Sequence, residues 1–286
     1  VSRAEDVNDE GLIVGLTPAP DISARAVRWD MAGTVTPLGP LPFSLSEALG
    51  INNDGVSVGF ADVPGGSIHA TVWDRAGNVT DIGTLGGNGA IALYINERSQ
   101  VAGVADTPAN DNESGFFWSA RDGMVAIPAS GGGSRLVAAL NDHGEVVGDT
   151  TVSERSAAYL WTRRRGLVLL PLGTGIRSDV FDINNQTDMV GAIERPASEG
   201  GGLRAVRWPG LSNPIDLNTQ LYRAPAGLVL EAGAAINDKG VILAHSNAGL
   251  VLLRPGKHGT DAPVLGPMMG LPDVVDVGQH VDSTVG

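Results

Sequence analysis

Apolar residues fall in short runs along this chain, and each run is cut off by Asn, Asp, Gly or Pro before it reaches helical length. Around Gly50–Gly87 four such runs follow one another: Glu47–Ile51, Val56–Phe60, His69–Trp73 and Val79–Ile82. Between the first two lies Asn52-Asn53-Asp54-Gly55, and between the last two lies Asp74-Arg75-Ala76-Gly77-Asn78. Short apolar runs bounded by turn residues predict antiparallel strands. Asn-x-x-Gly is hairpin chemistry: the Asn side chain bonds its own backbone and Gly accepts a positive φ.

The unit recurs. An aliphatic residue precedes Asn at Val7-Asn8, Ile51-Asn52, Ile95-Asn96, Leu140-Asn141, Ile183-Asn184 and Ile236-Asn237, with spacings of 44, 44, 45, 43 and 53. Three residues after each Asn stands Gly11, Gly55, Ser99, Gly144, Thr187 or Gly240, and a new apolar run follows. All five tryptophans share one register: Trp29, Trp73, Trp118, Trp161 and Trp208 lie 21, 21, 22, 20 and 24 residues after their repeat's Asn, with Leu253 near that place in the sixth copy.

Four short strands in 40–50 residues make the blade of a β-propeller, since one such sheet cannot bury both faces and must stack on its neighbours. The expected fold is therefore all-β. It is a six-bladed propeller of four antiparallel strands per blade, with a seventh blade only if terminal segments assemble one. Residues 1–269 form the propeller, with blades starting near 4, 47, 91, 135, 179 and 231, and residues 270–286 are a tail that closes the ring or leads away from it. The Trp positions read as core, each ring facing the next blade. Burying such a ring removes ~150–250 Å² from water, an upper bound of roughly 4–6 kcal/mol.

His69-Ala70-Thr71-Val72-Trp73, followed by Val79-Thr80-Asp81-Ile82-Gly83-Thr84-Leu85-Gly86-Gly87, resembles the bacterial extracellular repeat named for its His-Ala-Phe signature, as does the Ile-Asn-x-x-Gly turn. The other copies read Ala26-Val27-Arg28, Gly115-Phe116-Phe117, Ala158-Tyr159-Leu160 and Ala205-Val206-Arg207 at the signature. The resemblance implies a secreted or surface-exposed propeller, and it supplies no catalytic residues.

Composition narrows the partners. Forty Gly and 17 Pro disfavour long helices, and a net charge of −13 disfavours nucleic acid, which needs clustered Lys and Arg. The one basic run, Arg163-Arg164-Arg165, falls in a hairpin turn. Without cysteine there are neither disulfides nor thiolate metal sites. No apolar run has the length of a membrane span. The chain opens at Val1 with no signal peptide, which reads as a mature form or an excised piece.

No catalytic motif stands out, so candidate chemistry falls to what does not repeat. The middle loops and inter-blade links share one face of a propeller, and on it lie Asp21, Asp62, Asp106, Asp111, Glu113, Asp149, Glu154, Glu194, Glu199 and His245. Ligand binding is expected at Asp62, Asp106, Asp111, Glu113 and at Tyr222 and Arg223 of the insertion Leu217–Glu231. No cofactor is expected beyond a calcium candidate at Asp106, Asp111 and Glu113, where hard oxygen ligands cluster without the spacing of a calcium loop. The five histidines are scattered. The expected function is a binding module, a monomer that meets a glycan, a surface polymer or a protein. The alternative is a propeller hydrolase, lactonase or lyase with a metal or carboxylate site at the channel mouth. Convergence of three or more of the carboxylates Glu5, Asp6, Glu47, Asp179 and Asp182 on one cation in the channel would favour the enzyme, and a channel lined by Ala48, Leu49, Ala92, Ala138 and Ala234 the binding module.

Overall fold

A computed structural model describes residues 1–19, 22–39, 45–108, 113–128, 136–222, 224–255 and 263–264. These residues form six four-stranded antiparallel sheets, each built from consecutive strands. The first is β1 (Arg3–Val7), β2 (Ile13–Ala19), β3 (Ile22–Trp29) and β4 (Val35–Pro37). The second is β5 (Ser46–Ile51), β6 (Ser57–Asp62), β7 (Ile68–Trp73) and β8 (Val79–Gly83). In the third are β9 (Ala90–Ile95), β10 (Val101–Asp106), β11 (Glu113–Ser119) and β12 (Gly123–Ala126). The fourth holds β13 (Leu136–Leu140), β14 (Val146–Val152), β15 (Arg155–Thr162) and β16 (Gly166–Leu169). The fifth holds β17 (Arg177–Ile183), β18 (Asp188–Glu194), β19 (Leu203–Pro209) and β20 (Ile215–Asp216). The sixth holds β21 (Leu230–Ile236), β22 (Ile242–Ser246), β23 (Gly249–Pro255) and β24 (Pro263–Val264).

Each Asn-x-x-Gly turn closes as its chemistry predicts. Asn52 Oδ1 accepts from the Val56 amide, and Gly55, at φ 76°, donates its own amide to the Asn52 carbonyl. Ser99 and Thr187 hold the same left-handed conformation, at φ 53° and 63°, which costs a side chain more than glycine. Both use their hydroxyls across a blade boundary: Ser99 Oγ accepts from Asn52 Nδ2, and Thr187 Oγ1 donates to Glu145.

A second repeated glycine serves the sheet itself. Gly15, Gly59, Gly103, Gly148 and Gly191 sit on second strands opposite an irregularity in the first strand. A Cβ on Gly59 would lie 2.0 Å from the Glu47 carbonyl oxygen. The sixth blade inverts this pair, with Ala244 on the second strand facing Gly233 on the first.

Five core clusters lie between consecutive blades. Trp73 of the second blade packs with Val14, Ala26 and Leu38 of the first, and Trp208 of the fifth with Val147, Leu160 and Leu170 of the fourth. The rings thus face the preceding blade rather than the next one. Alternation along the strand sends Trp73 and its neighbour Val72 to opposite flanks, and it is Val72 that packs against the third blade. Leu253 takes the tryptophan's place in the sixth blade, fully buried. The insertion after the fifth blade begins with a 3₁₀ turn, Leu217–Gln220, capped by the Asp216 side chain. Its Leu217 is buried between the fifth and sixth blades, and Asn218 exchanges two hydrogen bonds with the Leu230 backbone. The tail 270–286 lies outside the described residues.

Candidate functional site

The hairpin turns between first and second strands surround one mouth of the central channel, and the repeat Asn links them. Its Nδ2 donates to the carbonyl of the next blade's Asn throughout: Asn8 to Asn52 (3.0 Å), Asn52 to Asn96 (3.1 Å), Asn96 to Asn141 (2.9 Å), Asn141 to Asn184 (3.1 Å) and Asn184 to Asn237 (3.1 Å). A second ladder runs one residue on. The amides of Asp9, Asn53, Glu97, Asp142 and Asn185 donate to the side chains of Asn53, Glu97, Asp142, Asn185 and Asp238 respectively.

These turns frame a cavity of about 300 Å³ lined by Ile95, Asn96, Glu97, Leu140, Asn141, Asp142, Ile183, Asn184, Asn185, Ile236, Asn237 and Asp238. Amides and carboxylates rim it, and aliphatic residues form its floor. The two residues after each Asn carry six carboxylates (Asp9, Glu10, Asp54, Glu97, Asp142 and Asp238) against two cations, Arg98 and Lys239. Burial holds the Glu97 carboxyl above its usual range despite the Asn53 amide, and Asp142, Asp54 and Asp9 push it the same way. The mouth is therefore a region of negative potential.

At the other end of the inner strands the polar groups come in pairs. Arg3 bonds Glu47 and Glu5. Arg177 bonds Asp179 at 2.7 Å, and Asp149 accepts from the Val180 amide at 3.0 Å. Burial drives the Asp149 carboxyl up to about 7, with the neighbouring Asp179 adding to the rise. Close to the turns instead, Asp6 and Asp182 each accept two backbone amides, from Val7 and Ile51 and from Ile183 and Ile236. Burial raises the Asp182 carboxyl as well. The inward carboxylates thus tie blades together, and among the described residues no three His, Asp or Glu side chains gather where a metal ion fits. Ala48 and Ala92 are fully buried between blades rather than lining the channel, because the pleat turns inner-strand side chains to the blade flanks.

The residues singled out from sequence are spread over the opposite face. Asp62 Oδ1 accepts from the Leu45 amide while its own amide donates to the Leu45 carbonyl. Asn247 makes the same pair with Val229 in the sixth blade, which marks the position as a clamp on the incoming link. Asp106 and Glu113 face each other across adjacent strands and line a cleft of about 140 Å³ with Ile68, Gly89 and Ile91. Tyr222 is half exposed on the insertion. Asp111 and Arg223 lie outside the described residues. Sequence reasoning missed the rim acceptors Glu97, Asp142, Asn185 and Asp238. Their signal was present: the position after the repeat Asn is Asp, Asn or Glu in all six copies.

Six radially stacked blades around a channel decide the architecture. The chain is a β-propeller. No family model matches the sequence, and no curated protein does. Among solved structures, it is similar to the β-propeller domain of the Trilobed protease from Pyrococcus furiosus, at 9% identity and TM-score 0.56, over 88% of this chain and 82% of that one. That domain has an open velcro topology. It is also similar to the putative TolB from Agrobacterium tumefaciens, at 8% identity and TM-score 0.51, over 76% of this chain and 80% of that one. The match to TolB from Acinetobacter baumannii has 13% identity and TM-score 0.47, covering 74% of this chain, which spans about half (53%) of that structure. Identities this low establish the fold of the propeller and leave its activity to be argued from its own residues.

Proposed function

We propose that this propeller is a binding module that captures a protein or glycan bearing cationic groups at the mouth framed by its first-strand turns. The acidic rim carries the reading: Glu97, Asp142 and Asp238 line a cavity of about 300 Å³, while the amides of Glu97, Asp142 and Asn185 are already used between blades. A ligand that brings its own donors and positive charge complements such a rim. The resemblance to the His-Ala-Phe repeats supports placing this module in a secreted or surface protein.

The test is calorimetric titration with an oligolysine peptide and an amine-bearing chitosan oligosaccharide, with the fully acetylated oligosaccharide as the neutral reference. Binding of a cationic probe should weaken with salt and fall about tenfold in the E97Q/D54N variant, in which the side-chain amide introduced at position 97 still offers an oxygen to the Asn53 amide. Equal binding of the neutral oligosaccharide, indifferent to salt and variant, would overturn the reading.

A hydrolytic reading draws on Asp149, a carboxyl held near neutrality beside Arg177 and Asp179, where a proton-transfer group belongs. An ester and lactone screen on the wild type and on Asp149→Asn decides it. Turnover abolished by the substitution would replace the binding module with an enzyme.

A further inference from the structure

Each blade of this propeller has a forward face, turned toward the blade after it, and a backward face, turned toward the blade before it; the four interior blades are packed on both. The five core clusters occupy the five boundaries from the first blade to the sixth. Among the described residues none of these clusters joins the sixth blade to the first. The consequence shows on both sides of that seam. Val7, which precedes the turn Asn of the first blade, is 59% exposed, whereas of its counterparts Ile51, Ile183 and Ile236 are 5–7% exposed and Ile95 and Leu140 are partly buried. Trp29 is only partly covered, as is Trp118 of the third blade, whereas Trp73, Trp161 and Trp208 are buried. On the forward face of the sixth blade, Leu252 is 45% exposed and Leu243 is partly exposed, in positions where the other blades have buried Val14, Val58, Val147 and Val190 for the latter.

The two hydrogen-bond ladders end at the same seam with complementary ends. Asn237 Nδ2 and the Asp238 amide, the donors of the last turn, have no acceptor among the described residues. At the first turn the Asn8 carbonyl receives no Asn side chain from a preceding blade, and the Asp9 carboxylate receives no backbone amide from one. A piece that fills the seam must present acceptors to one side, donors to the other, and apolar side chains to both. That is the chemistry of one more repeat with an aliphatic-Asn-acid or aliphatic-Asn-amide turn.

We propose that the seam between the sixth and first blades is a docking surface for one further four-stranded repeat of this same kind. The inserted turn Asn donates to the Asn8 carbonyl and accepts at its own carbonyl from Asn237. The residue after it donates its amide to Asp9 and accepts from the Asp238 amide. Its third-strand Trp lies on Leu252, and its own forward face covers Val7 and Trp29. Residues 265–286 of the chain do not suit this role: they contain no Asn and number 22, about half of the 43-residue shortest repeat spacing. Continuity with five existing interfaces that share the same two ladders and an apolar cluster identifies the occupant.

Because the chain has no cysteine, single thiols report the seam cleanly. Val7→Cys and Leu252→Cys are to be labelled with a maleimide in the natural chain and in a chain carrying a copy of residues 45–89 ahead of Ser2, with Ile51→Cys as the buried reference. Both seam thiols should label rapidly in the natural chain and at least tenfold more slowly in the extended one. An Asn→Ala change in the added turn should restore part of the labelling. Three outcomes overturn the proposal. The seam thiols are as protected in the natural chain as Ile51→Cys, so the first and sixth blades close on each other. Protection appears only at concentrations where the natural chain dimerises, so a second copy fills the seam. Or the added repeat leaves labelling unchanged while the extended chain melts cooperatively.

Discussion

The side-chain amide of Asn96 donates to the main-chain carbonyl of Asn141, 2.9 Å away in the next blade. Its oxygen meanwhile accepts the amides of Arg98 and Gln100 within its own turn. One side chain thus closes a hairpin and ties it to its neighbour, from a residue that is only 4% exposed.

Replacing Asn96 by Ala leaves these buried groups without partners and should cost about 2–4 kcal/mol, since each orphaned group costs ~1–3 kcal/mol. Asn237→Ala, at the exposed end of the ladder, should cost about 1 kcal/mol or less. Urea melts of the two variants give the comparison. Equal losses would mean that the ladder contributes nothing beyond the turns.

The sheet glycine is a steric requirement. In Gly59→Ala the new methyl meets the Glu47 carbonyl at 2.0 Å, so the first strand must shift. A loss of about 3 kcal/mol or more is expected, at the upper end of overpacking costs. A melting temperature within about a degree of wild type would show that the strand irregularity absorbs the methyl.

Tryptophans at one register differ in weight. Trp73→Ala opens a cavity between the first two blades and should cost ~3–5 kcal/mol. Trp29→Ala, beside the open seam, should cost less than half as much. Chemical denaturation separates them, and a Trp29 loss equal to that of Trp73 would contradict the exposure of this flank.

Acid should favour the fold through Asp149. Its folded-state value of about 7 lies above the ~3.9 of an unfolded chain, so between these values the folded state holds a proton that the unfolded state has lost. This contribution is present below pH ~4 and is lost as pH rises through about 7, after which it is constant. Asp149→Asn should therefore raise the melting temperature at pH 8, with a margin that shrinks toward pH 5. A margin independent of pH would place the Asp149 titration elsewhere.

The fold was readable because its signals are local and repeated. An Asn, a positive-φ residue three positions later and a bulky ring about 21 residues on state the blade wherever they occur. The direction in which the rings face was not readable, because alternation along a strand says that Trp73 and Val72 diverge but not which flank each takes. Nor was the acidic mouth. Asp142 and Asp238 look like ordinary turn residues until the ring brings them together with Glu97 around one cavity. Asp62 looked like a ligand for the converse reason, since its partner Leu45 lies 17 positions away.

Because each sheet is built from consecutive strands and packs on its immediate neighbours, the described residues form a row of units coupled pair by pair. Among the described residues the first and sixth units each hold one core interface where the interior units hold two. Amide exchange should grade along the chain, slowest in the second strands of the middle blades and fastest in the first and sixth, which open without the rest. Such a row frays as a short helix does, from its end units inward.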